Sequence, residues 1–273
     1  MISVSIVTYY NTLDQISECV NSFISSSLIS KIIICDNSEN PSLNQSLVSS
    51  INDKLLYVSN PSNTGYGAGH NLAFSMSGDS LYHVVMNLDV GVNKDVFEKL
   101  SQFMSENSDV VHIMPKVLNT DGSIQRLCKM LPTPMNLIGR RFIRNRGFAA
   151  SLDEKYTLFN YNYDFILDCP YLSGCFMFLR RSAFVSVDGF DESFFMYPED
   201  IDLSRRLHEV GRTICYPYVS ITHEHGQASY KSINMLFIHI QGIVKYFNKW
   251  GWFFDKKRKV FNQSLESKLT NKF

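Results

Sequence analysis

Across its first hundred residues the chain alternates between short apolar runs and segments whose apolar residues recur at helical spacing, a pattern that few folds accommodate. Ser3–Thr8 reads as a buried strand, and Asp14–Ile24 as a helix with Ile16, Val20, Phe23 and Ile24 on one face. Lys31–Cys35, Leu55–Val58 and Leu81–Met86 are expected as further strands. Leu43–Ile51, Gly69–Met76 and Lys94–Ser105 are expected as the helices between and after them. Strands separated by helices run mostly parallel, because each helix carries the chain back across the sheet before the next strand begins. The fold class is therefore α/β, with a mainly parallel central sheet and helices on both faces. Polar residues fall just past three strand ends, at Thr8–Asn11, Asp36–Ser38 and Asn87–Asp89, where open α/β sheets place ligands.

The second half is less regular. Phe165–Cys169 and Cys175–Leu179 read as strands joined by the tight Leu172-Ser173-Gly174-Cys175, and Thr213–Tyr216 as another. Arg140, Arg141, Arg144 and Arg146 form a basic stretch, expected as a mobile loop or a solvated helix face. Between these lies Pro198-Glu199-Asp200-Ile201-Asp202, three carboxylates in four positions. Proline suits a first helical turn, Leu203 and Leu207 recur at i and i+4, and Gly211 supplies a stop. Glu199 and Asp200 thus fall at a helix N-terminus, where the helix dipole favours anions. Ordinary acidic capping with an i,i+4 Asp202–Arg206 pair accounts for two of these residues. It does not account for Asp200, reached through the apolar Phe194-Phe195-Met196-Tyr197. A half-buried carboxylate beside another is costly unless it binds a cation or moves a proton.

Composition closes off several classes. Lys+Arg and Asp+Glu both number 26, so no global field points to nucleic acid. The six cysteines lack a CxxC pair and suit buried, reduced thiols in a cytoplasmic protein. No signal peptide is read at Met1-Ile2-Ser3-Val4, and no apolar run reaches the roughly 18 residues of a membrane span. The expected division is an α/β domain over residues 1–230 and a helical appendage over 231–273.

Two further segments carry chemistry. Asn63-Thr64-Gly65-Tyr66-Gly67-Ala68-Gly69 sets glycine at every second position before a helix. Such a run either cradles phosphate with its backbone N–H groups or is a plain flexible turn. It is not GxGxxG and follows the third strand, which disfavours a dinucleotide fold. Asp89 at a strand end, with His223 or His225 far along the chain, suits an oxygen/nitrogen site for Mg²⁺ or Mn²⁺; a turn cap and a hydrogen-bonded histidine are the structural alternatives.

Taken in order, VSIVTYYN, IIICDNS, NTGYGAGHN, MNLDV, LSGCFMFLRR, GFDESFFMYPEDIDLSRRL and THEHGQAS resemble the family-2 glycosyltransferases of the GT-A fold, over roughly residues 3–229. The likeness is greatest to the rhamnosyltransferase-like branch that builds bacterial O-antigen and capsule. The resemblance implies that Thr8, Tyr10 and Asp36 contact the nucleobase and ribose of a nucleotide-sugar donor. Asn63, Gly65, Gly67 and Gly69 would line the nucleotide pocket, and Ser173, Gly174 and Cys175 would lie beneath the donor sugar. Asn87-Leu88-Asp89 takes the place of the family's DXD motif, with Asn87 where the first carboxylate stands. Asp89 and His223, with His225 as substitute, would hold Mn²⁺ or Mg²⁺. Asp200 would be the base of an inverting transfer, Glu199 its tuning neighbour, and Arg206 the arginine of that helix. The implied donor is dTDP-rhamnose, or else a UDP-hexose carrying galactose or N-acetylglucosamine. The implied acceptor is a saccharide on a polyprenyl diphosphate. Two other readings compete: a non-catalytic nucleotide-sugar-binding subunit, supported by Asn87, and a metal-dependent hydrolase.

Near the C-terminus, Leu236, Ile240, Ile243, Phe247 and Trp250 recur at helical spacing beside Lys245 and Lys249, and Trp252-Phe253-Phe254 runs into Lys256-Lys257-Arg258-Lys259. Two readings fit: peripheral contact with the anionic inner face of the plasma membrane, or a helix packed on the catalytic domain with a solvated basic end.

Overall fold

The alternation is realised strand by strand in a computed structural model that describes residues 1–139, 146–224 and 233–270. In chain order, β1 (Ile2–Thr8), α1 (Leu13–Asn21), β2 (Ile29–Asp36), α2 (Gln45–Ser49), β3 (Leu55–Ser59), α3 (Tyr66–Ser75), β4 (Tyr82–Met86), β5 (Val90–Gly91) and α4 (Lys94–Glu106) form the first half. They are followed by β6 (Val110–Leu118), β7 (Cys128–Lys129), a π-helical turn at Met135–Gly139, α5 (Arg146–Tyr156), β8 (Leu167–Asp168), β9 (Tyr171–Leu172) and β10 (Phe176–Arg180). The rest is α6 (Arg181–Ser186), α7 (Glu199–Val210), β11 (Arg212–His223), α8 (Ile233–Trp250) and α9 (Lys256–Thr270).

The main sheet runs in the order β3-β2-β1-β4-β10-β6-β11-β5, with β8 paired to β11. Pairing is parallel from β3 to β4 and between β6 and β11, and β10 is inserted antiparallel between β4 and β6. Four expectations shift in extent. The helix expected at Leu43–Ile51 begins only at Gln45, because Asn44 caps it by accepting from Leu47 N–H at 3.0 Å. The strand expected at Phe165–Cys169 is reduced to the two residues that pair with β11. The one expected at Thr213–Tyr216 runs on to His223, since pairing with β6 resumes at Ser220 after an irregularity. The third helix begins at Tyr66 and not Gly69, so Gly67 and Gly69 are inside it. Arg140, Arg141, Arg144 and His225 lie outside the described residues.

β1 shows how the sheet is buried on both faces. Val4 and Ile6 join Ile32, Ile34, Val84 and Met86 in the main core. Ser3 and Ser5 point the other way and are satisfied by buried histidines: His83 Nδ1 is 2.8 Å from Ser3 Oγ, His83 Nε2 is 2.9 Å from Ser5 Oγ, and His70 Nδ1 is 2.7 Å from Ser5 Oγ. Burial, reinforced by the Arg181 charge, pushes His83 down to about 3 and keeps it neutral.

Beyond residue 230 the architecture becomes helical but the core continues, since Ile243, Tyr246, Phe247 and Leu265 belong to the main cluster. The stripe at Ile243 and Phe247 therefore packs on the α/β layer. Two contacts with α7 hold it there. Arg205 makes a bidentate pair with Asp255, at 2.6 and 2.7 Å, both side chains at most 3% exposed, and its guanidinium lies 4.0 Å from the Trp250 ring. Asp202 accepts from Arg206 Nε at 2.8 Å, as expected, and also from Trp250 Nε1 at 2.7 Å. Among the described residues no helix is long and apolar enough to cross a membrane.

Removing one partner of a buried pair leaves the other charge desolvated. Arg205→Ala is expected to lower the free energy of unfolding by about 3–5 kcal/mol, and replacement of both Arg205 and Asp255 by apolar residues by much less. Chemical denaturation of the full chain checks this; a loss under about 1 kcal/mol in the single variant would show that water screens the pair.

Candidate active site

The carboxyl ends of the parallel strands β1, β2 and β4 lie at one end of the sheet, where the end of β11 pairs with β5 and the first turn of α7 meets Gly174. Two groups of side chains gather there, joined by the start of α3.

The first group lies at β1 and β2. Thr8 pairs with Asp36 across the strands, and its buried hydroxyl has no hydrogen-bond partner among the described residues. Asp36 is buried and its carboxylate is already committed. Oδ1 accepts from Ser38 Oγ at 2.6 Å and Ser38 N–H at 3.0 Å, and Oδ2 from the Tyr57 hydroxyl at 2.9 Å. Tyr10 is exposed and held at φ +55° by its N–H bond to Ser38 Oγ, and Asn63 sits at φ +42°. Left-handed backbone at non-glycine residues costs energy and concentrates at binding sites.

The glycines of the expected phosphate cradle have other duties. Gly65, at φ +104°, lets the backbone run against the Phe195 carbonyl, which accepts the Tyr66 N–H at 2.9 Å. A Cβ on Gly67 would lie 2.9 Å from Phe190 Cβ, and one on Gly69 2.9 Å from a Val7 methyl. Gly67 and Gly69 thus serve close helix packing, a correction to the loop expected from their spacing. Asn37 Nδ2 donates to Gly65 O at 3.0 Å, tying α3 to the end of β2.

The second group surrounds α7. Asp200 is half-buried, and its carboxylate is oriented by three donors: Gly174 N–H to Oδ2 at 3.0 Å, Tyr171 hydroxyl to Oδ2 at 3.3 Å, and Ile201 N–H to Oδ1 at 2.8 Å. Gly174 has no alternative, since a Cβ there would lie 2.9 Å from Asp200 Cβ. Its carbonyl and Asn87 Oδ1 both accept from the Tyr66 hydroxyl at 2.9 Å. Asn87 therefore positions Tyr66. Ser173 and Cys175 flank Gly174, and burial, with Asp89 and Asp200 adding to it, pushes the Cys175 thiol up to about 12.

Glu199 and Asp200 are neighbours with different surroundings. Burial and then the Asp200 charge push the Glu199 carboxyl far above the usual range, and its Oε2 is buried with no partner among the described residues. Burial also raises Asp200, but the Gly174 and Ile201 amides, the Lys129 ammonium and the Tyr171 hydroxyl oppose it. The surroundings therefore favour the pair's last proton on Glu199 over Asp200. Lys129 stands 5.8 Å from the ring centroids of both Tyr156 and Tyr171, a cation between two aromatic faces beside Asp200.

Asp89 and His223 meet at the sheet edge, where β11 pairs with β5; His223 Nε2 is 3.3 Å from Asp89 Oδ1. A carboxylate oxygen and an imidazole nitrogen at that separation suit two neighbouring ligands of a divalent cation. Among the described residues no third histidine, cysteine or acid completes a cluster. Sequence reasoning missed Tyr66, Lys129, Tyr171 and Gln125. Of these only Tyr66 carried a signal, lying within the glycine run.

Comparison with known proteins gives this geometry a context. The model of glycosyl transferase family 2 matches residues 4–187. A low-salt glycan biosynthesis hexosyltransferase, Agl10, of Haloferax volcanii is 28% identical over 65% of this chain and 53% of its own length. An N-acetylglucosaminyl-diphospho-decaprenol L-rhamnosyltransferase of Mycobacterium tuberculosis is 28% identical over 59% of this chain and 56% of its own. The chain thus spans about half the length of these curated relatives. A crystal structure of GalNAc-T7 with UDP, GalNAc and Mn²⁺ aligns over 82% of this chain and 43% of that one, with a TM-score of 0.61 at 14% identity, and its fold is the GT-A fold.

The split between the two acids is directly measurable. Carbon NMR of the side-chain carboxyls, assigned through Glu199→Gln and Asp200→Asn, should show Glu199 still protonated at neutral pH and ionising only as pH rises further. Asp200 should ionise at lower pH, though above the usual aspartate value of about 3.9. Ionisation of both below pH ~5 would remove the assigned division of roles.

Proposed function

The chain belongs to glycosyl transferase family 2, and we propose that it moves a sugar with inversion from a nucleotide donor to a saccharide hydroxyl. The observation that carries this reading is Asp200: a carboxylate at a helix N-terminus oriented by the Gly174 and Ile201 amides, with the Gly174 carbonyl and Asn87 both bonded to the Tyr66 hydroxyl.

In the proposed reaction an acceptor hydroxyl enters against Asp200 Oδ2. The carboxylate takes its proton as the oxygen forms a bond to C1 of the sugar, and the bond from C1 to the diphosphate breaks on the opposite face. The electron pair leaves with the nucleoside diphosphate. A positioned base of this kind contributes roughly 10²–10⁴-fold. Glu199, neutral at working pH, adds no second negative charge next to the base. Asp89 and His223 would hold Mn²⁺ or Mg²⁺, which when bound neutralises charge developing on the leaving diphosphate. Thr8, Tyr10, Asp36 and Asn63 would meet the nucleoside, and Ser173, Gly174 and Cys175 the sugar.

The finer assignment is L-rhamnose from a dTDP donor, delivered to a polyprenyl-diphosphate-linked saccharide of a bacterial surface polysaccharide such as O-antigen or capsule. The name of the mycobacterial relative supports this kind of donor sugar and acceptor. A UDP-hexose donor is the second reading, favoured by the hexosyltransferase relative. Work on a lipid-linked acceptor places the enzyme at the inner face of the plasma membrane. The surface that suits such contact is not the stripe at Ile243 and Phe247, which is core, but the turn between α8 and α9. Phe253 and Phe254 are 79% and 97% exposed there, next to Lys256 and Lys259. Aromatic side chains beside lysines suit an anionic lipid interface.

Two measurements test these assignments. Transfer assays with dTDP-rhamnose, UDP-galactose and UDP-N-acetylglucosamine should show turnover with the first, lost by roughly 10²–10⁴-fold in Asp200→Asn while nucleotide binding persists. Because only ionised Asp200 accepts the proton and its pKa is raised, kcat/KM should fall as pH drops through a value above about 4. Turnover with a UDP-hexose alone transfers the assignment to that donor, and near-normal Asp200→Asn activity removes it as base. Separately, Phe253→Ser with Phe254→Ser should abolish sedimentation with anionic vesicles; unchanged sedimentation would rule out the turn as the contact.

A further inference from the structure

Gln125, which no sequence motif marks, controls how His223 faces Asp89. It lies just after the turn that follows β6, where its N–H bonds Val117 O at 2.9 Å, and its side chain is buried. Its Nε2 donates to two oxygens, Asn119 Oδ1 at 2.7 Å and the backbone carbonyl of His223 at 2.7 Å. Its Oε1 lies 2.9 Å from His223 Nδ1.

These three contacts fix the hydrogens. A backbone carbonyl accepts and never donates, so the amide atom facing His223 O must be nitrogen. Oε1 then faces Nδ1, which must carry the proton of that bond. A neutral His223 ring consequently presents the Nε2 lone pair, 3.3 Å from Asp89 Oδ1. Two acceptors brought this close repel unless a proton or a metal cation lies between them, and with the ring neutral a metal cation fits that place. The backbone adds to the constraint: Glu224 N–H donates to Asp89 O at 3.0 Å, and β11 pairs His223 with Val90.

We propose that Gln125 is a positioning residue for a divalent cation, holding His223 in the Nδ1–H tautomer so that Nε2 and Asp89 Oδ1 bind the cation together. The proposal rests on the reading of Asp89 and His223 as the metal pair. It adds the residue that prepares the histidine, the role outer hydrogen-bond partners commonly play for metal-bound imidazoles. An imidazole ligand favours Mn²⁺ over Mg²⁺ at such a site.

The test uses the full chain with Mn²⁺ alone, followed by the EPR signal of the free ion, and a second measurement that needs no metal. Gln125→Leu should weaken Mn²⁺ binding by roughly 10–100-fold, while His223→Ala weakens it at least as much. In the unsubstituted protein at alkaline pH, nitrogen NMR of labelled histidines should show His223 protonated at Nδ1 and bare at Nε2, the resonance being identified by its loss in His223→Ala. An Nε2–H tautomer overturns the proposal even if Gln125→Leu fails to fold. Mn²⁺ affinity unchanged in a folded Gln125→Leu, with His223→Ala weakened, overturns the role of Gln125 and leaves the metal pair standing. Failure of the unsubstituted chain to bind Mn²⁺, or unchanged binding in His223→Ala, overturns the metal pair and the proposal with it.

Discussion

The arrangement depends on how α7 is held, because this one helix carries the proposed base at its front and the anchor of the C-terminal helices behind. Arg205 and Asp255 face each other almost wholly out of water. An ion pair so placed is tolerable only with near-ideal geometry, and the bidentate contact supplies it. Asp202 adds a second tie through Trp250 and Arg206. Asp200, two residues before Asp202, inherits that rigidity. The loop leading into α7 is clamped as well, since Gly242 of α8 packs against the Tyr197 carbonyl and the Phe195 carbonyl receives Tyr66 N–H. The C-terminal helices therefore support the site and are not a detachable tail.

Within that frame the chemistry is set by unequal surroundings for like groups. Glu199 and Asp200 are adjacent carboxyls, yet Asp200 has amide and hydroxyl donors and a nearby ammonium while Glu199 has a buried oxygen without a partner among the described residues. The environment divides the protons between them as it does for paired carboxyls in other enzymes. Asn87 belongs to the same economy of charge. A carboxylate in its place would add a further acid to a cluster that already holds Asp200 and Asp89. As an amide it accepts from Tyr66 without that repulsion.

The strands and helices of the first half were legible because each is announced by its own apolar period, and burial of β1, β2 and β4 follows from it. The antiparallel insertion of β10 was not, since nothing local in Phe176–Arg180 states which neighbours it will have. Spacing alone matched Arg206 to Asp202 correctly but could not reveal that Arg205, one position away, faces inward to Asp255. The glycine run misled for a similar reason: its period describes a backbone with room, and whether a ligand or Phe190 fills that room is decided more than a hundred residues later. That Asp89 and His223 would come together was legible in residue type and in the resemblance. Gln125 was invisible because an isolated glutamine has no pattern until the fold sets it against a histidine.

The C-terminal helix illustrates the limit of periodicity most directly. Ile243 and Phe247 face the core, yet Phe237, Ile240 and Val244 recur at i, i+3 and i+7 on a face that stays exposed. A surface helix that needed only to pack on the α/β layer would carry polar residues there. An apolar stripe with no cover among the described residues follows from neither helix propensity nor core packing. α8 therefore has two different surroundings, and Phe253 and Phe254 are exposed in the turn that follows it. One is the protein's own core. The other is not covered by any described residue, and the turn proposed above as the lipid contact follows at the end of the helix.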